Sequence, residues 1–249
     1  MKLTKKLFAV ALLMSAAAMT FAQSQSVQKQ SSSSNKETYV ENEYLDDIDT
    51  EIIIGMAEAD DYESKFLALQ YIQEAIEDGN TSAGVIEALD KLAGEGILSE
   101  SRTNGRKINN FPDIRRDACI LMAQVPSEHT KNQLIKIMVA ENEPMVTAAA
   151  VQSLSKINPE NADEAIEAIC FVHKKNMYLN PTSSLAFEVI DAFERLAPNA
   201  SNHKAMTSTL TLIASNYRYP TSIRNRAQRL LKKLSNAGSS SSSKNVDAK

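Results

Sequence analysis

The chain has 249 residues with 27 basic and 31 acidic side chains, 43% apolar residues and only 6% aromatic ones, which excludes a wholly disordered or fibrous chain. Seven glycines and seven prolines are too few for an all-β sandwich or barrel, which needs a turn residue about every ten positions. The expected class is all-α.

Residues 1–22 read as a secretory signal. Lys2, Lys5 and Lys6 supply a positive start, Leu7 to Met14 an apolar core, and a run of small residues ends at Ala22, with Thr20 two positions before it. The lysine-led start is of the bacterial kind, so cleavage near Ala22 and a periplasmic or secreted mature chain are expected. The apolar stretch is short and Ala-rich for a membrane span, so the mature chain is expected to have no transmembrane span. The residue immediately after the cut is Gln23 and not Cys, which disfavours a lipid anchor. The processed chain carries 24 basic and 31 acidic side chains, net −7; with export, this argues against nucleic acid as a partner.

Residues 23–38, with Ser31 to Ser34 in a row, form a Ser/Gln-rich linker expected to be disordered. A folded domain is expected over 39–234. Leu45, Ile48, Ile52 and Met56 suggest its opening helix. In the same stretch Asp47, Asp49, Glu51 and Glu58 fit positions 1, 3, 5 and 12 of a calcium loop, but the sixth position is Ile52 and not glycine. Ile52 to Ile54 belong in a helix, which makes the acids its solvated face.

Lys65, Leu69, Ile72 and Ile76 mark the next helix, and Val85, Ile86, Leu89 and Leu92 its partner. Between Ala93 and Phe111 lies a polar connection containing Gly94, Gly96 and Gly105. Inserts of this kind between repeats often sit on a binding face, so Arg102, Arg106 and Lys107 are candidate partner-binding residues.

All seven prolines follow, at 112, 126, 144, 159, 181, 198 and 220. Proline is tolerated at the first position of a helix and disrupts its interior, so the series reads as helix boundaries. In register, Ile114, Ala118, Leu121, Met122 and Val125 align with Val146, Ala150, Ser153, Leu154 and Ile157. The same positions are Leu185, Val189, Ala192, Phe193 and Leu196, then Ile223, Ala227, Leu230, Leu231 and Leu234. Nineteen of these twenty are apolar, where a 43% background supplies about nine; their spacing places them on one helix face. Second helices follow with Leu134, Ile137 and Met138, with Ile166, Ile169 and Cys170, and with Leu210, Ile213 and Ala214. Asn161 and Glu164 predict a capping box for the middle one. Residues 235–249, centred on Ser239 to Ser243, are expected to be a disordered tail.

Paired helices opening on Pro112, Asp113, Ile114, Arg115 and Ala118, and again on Pro220, Ile223, Arg224 and Ala227, resemble HEAT and HEAT-like repeats over roughly residues 60–234. The resemblance implies an α-solenoid of about five antiparallel helix pairs, a HEAT-like superhelix, and specifies no activity. The unit spacings, 32, 39 and 38 residues, are shorter than the ~40–47 of typical members. Thr147 and Ala186 stand where the family's basic residue would continue from Arg115, so a continuous charged ladder is not expected.

No phosphate loop, dinucleotide fingerprint, nucleophile elbow or zinc-binding His-Glu-x-x-His occurs, so no enzyme activity and no cofactor is expected. His129, His173 and His203 fall on different helices, which disfavours a shared metal site. Cys119 and Cys170 lie in apolar helical patterns, as buried thiols or, in an oxidising compartment, as a pair.

Charge is divided along the chain. Residues 37–100 carry 18 acidic and 2 basic side chains, net −16, and residues 101–249 carry 13 and 20, net +7. The last helix gathers Arg224, Arg226, Arg229, Lys232 and Lys233, with Arg218 just before it. Such a run is either the solubilising face of a terminal repeat or a docking site for an acidic surface, including the acidic end of another copy. The leading expectation is an exported scaffold or adaptor that binds a protein or peptide. The alternative is an enzyme or small-ligand carrier with a site between repeats, for which Glu167, His173 and Lys174 are the clustered polar candidates.

Overall fold

The structure is a computed structural model that describes residues 49–201 and 203–243, with side chains through Asn236. These residues belong to one unit, Ile48–Lys249. The expected signal and linker lie outside them. Among the described residues are ten helices, one 3-10 turn and one two-stranded hairpin.

Helix α1 covers residues 49–58. It is followed by α2 (Tyr62–Glu77) and α3 (Ala83–Ala93), then by the hairpin β1 (Arg102–Thr103) and β2 (Arg106–Lys107). From there α4 (Pro112–Met122), α6 (Pro144–Ile157), α8 (Ser183–Leu196) and α10 (Thr221–Ser243) alternate with α5 (Glu128–Ala140), α7 (Asp163–Leu179) and α9 (Lys204–Ser215). From α2 onward every helix packs on the next in the chain. In addition α2, α4, α6, α8 and α10 pack in series, as do α5, α7 and α9.

Local chemistry sets the boundaries. Pro112 and Pro144 occupy the first turn of α4 and α6, where a missing N–H is harmless. Asp61 caps α2 by accepting from the Ser64 N–H at 2.8 Å, and Ser127 caps α5 by accepting from the Thr130 N–H at 3.0 Å. Asn158 closes α6 in the left-handed region, φ 49°, a conformation Asn tolerates better than most residues. The expected capping box at Asn161 and Glu164 does not form. Ala162 occupies the cap position of α7, Asn161 accepts instead from the Asp163 N–H at 3.1 Å, and Glu164 turns to Lys131 at 2.8 Å.

Of the twenty aligned positions all are buried except Ile157 and Leu231, which are partly buried. Each full-sized apolar side chain so enclosed contributes about 1.5–3 kcal/mol. The opening helix departs from expectation in its rotation. Ile53 and Ala57 are its buried residues, while Ile52 is 49% exposed. Two contacts fix that rotation. Lys65 donates to the Ala57 carbonyl at 2.8 Å, and Gly84 lets Thr50 approach so closely that a Cβ there would lie 2.1 Å from its methyl group. Asp49, Glu51 and Glu58 of the calcium-like pattern lie in this helix, and Asp47 lies outside the described residues. Helix α10 continues to Ser243, past Leu234, where the sequence pattern ended. Cys119 is buried, Cys170 is partly buried, and both are free thiols.

One ion pair is enclosed in the core. Arg115 donates from Nε to Glu141 Oε2 at 2.7 Å and from Nη2 to Oε1 at 3.3 Å, with both side chains almost wholly buried. Glu141 Oε1 also accepts from the backbone N–H groups of Asn142 and Glu143, so one carboxylate ties α4 to the turn between α5 and α6. Thr147 and Ala186, at the equivalent positions of later units, are fully buried and uncharged, and Arg224 donates to Thr221 Oγ1 at 3.2 Å and pairs with no acid among the described residues.

Candidate interaction surface

The basic residues singled out in sequence divide into engaged and free groups. On α10, Arg226 pairs with Asp191 at 2.7 Å, and its guanidinium carbon lies 4.3 Å from the centre of the Phe187 ring, a cation–π contact. Lys233 pairs with Glu194 at 3.1 Å. The acids that answer these two cations are thus on α8 of the same molecule. Arg224 lies 6.0 Å from the Tyr217 ring centre. Arg218, Arg229 and Lys232 are exposed and pair with no acid among the described residues.

The other predicted group sits on the hairpin. Asn104 and Gly105 both take positive φ, 50° and 78°, the two-residue geometry that suits the twist of paired strands. Arg102 and Lys107 both bind Glu100, each at 2.7 Å. Those hydrogen bonds, Lys107 first, hold the Glu100 carboxyl below its ordinary range. Arg106 is exposed at the turn. The cations of this insert therefore serve mainly to fold it.

An outward surface that the sequence reading did not single out is better suited to a partner. On α7 the buried residues are Ala165, Ile166, Ile169, Val172, His173 and Asn176; Phe171, Lys174 and Tyr178 fall on the opposite side by helical spacing. Phe171 is 57% exposed and Tyr178 71%. Lys175, between them, donates to the backbone carbonyls of Val139 at 3.1 Å and Glu141 at 2.9 Å, which binds this end of α7 to the end of α5. There Val139 and Lys136 are exposed. On α9, Leu212 is exposed, and Tyr217 just beyond it is 90% exposed. The outward sides of α5, α7 and α9 thus combine large apolar side chains with lysines. The signal was present in sequence, as apolar residues on the wrong side of a well-patterned helix.

Glu167, His173 and Lys174 do not converge. Glu167 and Lys174 are exposed, whereas His173 is buried, 3.3 Å from the Tyr219 hydroxyl, and burial lowers its pKa to about 4. His129 binds Asp90 at 2.6 Å, and His203 meets the Ala197 carbonyl at 3.0 Å. Among the described residues no group of three or more His, Cys, Asp or Glu side chains could hold a metal ion. No helix among them is long and apolar enough to cross a membrane. No family model matches the chain, and no curated protein matches it in sequence.

Proposed function

We propose that this chain is an exported, non-enzymatic scaffold or adaptor, an α-solenoid of HEAT-like helix pairs, that binds a protein or peptide along the outward sides of α5, α7 and α9. The carrying observation is the exposure of Phe171, Tyr178, Leu179 and Tyr217 beside Lys174 and Arg218. Monomeric surfaces scatter single apolar residues, whereas aromatic clusters with basic neighbours suit partner recognition. The serial packing of alternate helices supports the solenoid reading, since stacked pairs present equivalent helices side by side.

A photo-crosslinking side chain placed at Phe171 or Tyr178, in cells that export the chain, is expected to trap a defined envelope or extracellular protein. The same group at Glu74 on α2 is expected not to. Identical products from all three positions would refute this surface. The exported chain is expected to begin at Gln23 by mass spectrometry. Head-to-tail association through Arg218, Arg229 and Lys232 predicts a sedimentation coefficient that falls as salt rises; a salt-independent monomer would remove that contact from the proposal.

A further inference from the structure

The insert after α3 builds a cleft of about 320 Å³ against α1, α2 and α3. Its backbone is fixed from several directions. Gly96, at φ 68°, runs so close to the Asn109 carbonyl that a Cβ would lie 2.0 Å from its oxygen. Asn109 donates to the Ser99 carbonyl at 2.9 Å and accepts from the Ser101 N–H at 2.7 Å. Lys107 donates to the Gly96 carbonyl, and Arg115 donates to the Glu95 carbonyl at 3.2 Å.

These contacts hold Glu95 on the cleft wall, 1% exposed. Neither of its carboxylate oxygens has a hydrogen-bond donor. The nearest cation, Lys65 Nζ, stands 3.7 Å away and makes its hydrogen bond to the Ala57 carbonyl. The other charges lining the cleft are engaged. Lys91 holds Glu58 at 2.7 Å and Glu87 at 3.4 Å, and Glu100 is held by Arg102 and Lys107. Burial raises the Glu95 pKa against the opposing charges of Lys65 and Arg115; Asp60, also on the cleft lining, adds a second carboxylate and a smaller push in the same direction as burial.

An ionised carboxylate accepts several hydrogen bonds, and leaving it buried without them is costly. The group that answers two carboxylates at once carries positive charge and several N–H donors. The volume lies near the small end of ligand pockets and suits a group of side-chain size. We propose that this cleft binds a cationic nitrogen group, an ammonium or guanidinium on a short aliphatic stem, with Glu95 as its principal acceptor and Asp60 as the second. The group belongs either to a free small amine or to a basic side chain of a bound peptide. This site stands apart from the outward surface of α5, α7 and α9, and does not depend on it.

Calorimetric titration of the full chain with 1,4-diaminobutane, ethylguanidinium and N-acetylarginine amide tests it. Saturable binding of at least one is expected. Binding of 1,4-diaminobutane or ethylguanidinium assigns a small ligand, and binding of the blocked arginine alone assigns a peptide side chain. Glu95→Gln is expected to weaken binding at least about tenfold, since it removes the charge that receives the donors, and Asp60→Asn to weaken it less. Arg106→Ala, outside the cleft, is expected to bind as the unsubstituted chain does. Absence of saturable binding with all three probes would overturn the proposal. So would unchanged affinity in a helical Glu95→Gln protein; should that variant lose its helical circular dichroism, unchanged affinity in Asp60→Asn decides in the same way.

Discussion

The buried residues of α6 and α8 carry no charge: they are mostly apolar, with Leu154, Val151 and Ala150 on one helix and Phe193, Val189 and Leu185 on the other, beside the small hydroxyls of Thr147, Ser153 and Ser155. Where the insert meets α2 and α4 the buried residues include Lys65, Glu95 and Arg115, each no more than 3% exposed. The first kind of contact is non-directional and grows with the area removed from water. The second works only in one geometry, because each charge must find its partner to offset desolvation. The difference teaches that the packed helices need only size and spacing, whereas the insert needs particular partners, which suits it to holding a carboxylate in a defined place.

Mutations break the comparison most sharply at its apolar side. Phe193→Ala, at a fully buried position, is expected to lower unfolding stability by about 3–5 kcal/mol through transfer and cavity terms, measured as a reduced urea midpoint. Arg115→Met strands Glu141 in the core and is expected to cost about 3 kcal/mol or more. The double variant Arg115→Met, Glu141→Leu should recover much of that loss, because both charges leave together. A double variant no better than the single one would show that the pair contributes more than its own desolvation cost.

Acid sharpens the contrast further, because the two regions respond in opposite directions. Burial lowers the His173 pKa to about 4 from an ordinary 6.5, so between these values the unfolded chain takes a proton that the folded one refuses. Stability falls as pH drops through that window, by up to about 3 kcal/mol. Burial raises the Glu95 pKa, so its folded carboxyl keeps a proton that the unfolded chain releases. That contribution is complete below the ordinary value of 4.5 and disappears as pH rises through the raised one. Urea unfolding at pH 7, 5.5 and 4.5 is expected to show a shallower acid loss in His173→Gln and a steeper one in Glu95→Gln. The smallest effect is expected at Lys233→Ala, an exposed pair with Glu194, within about 0.5 kcal/mol.

The paired helices were legible because the core depends on periodicity, and Ile114, Val146, Leu185 and Ile223 carry that period openly in the sequence. The rotation of α1 was not, since three adjacent isoleucines leave the stripe undetermined by one residue. Arg115 was noticed as a family-like residue, but its partner Glu141 is 26 positions away and follows no local rule. Glu95 was one acid among many in an acidic half. Its lack of a hydrogen-bond donor arises from burial by Lys65 and the insert, a consequence of tertiary packing. The hairpin has a local signal in Asn104-Gly105, the dipeptide that favours a two-residue turn, set in a polar stretch without strand alternation around it. Of the basic residues on α10, sequence could not separate Arg226, which answers Asp191, from Arg229, which answers no acid among the described residues.

The two free thiols give the molecule a built-in clock. Cys119 is wholly enclosed, and burial pushes its pKa up to about 12, so a thiol reagent meets an unreactive, inaccessible sulfur until α4 parts from its neighbours. Burial raises the Cys170 pKa as well, but its sulfur is only partly enclosed and is expected to react first. The lag between the first and second labels is therefore expected to report the free energy of local opening at α4.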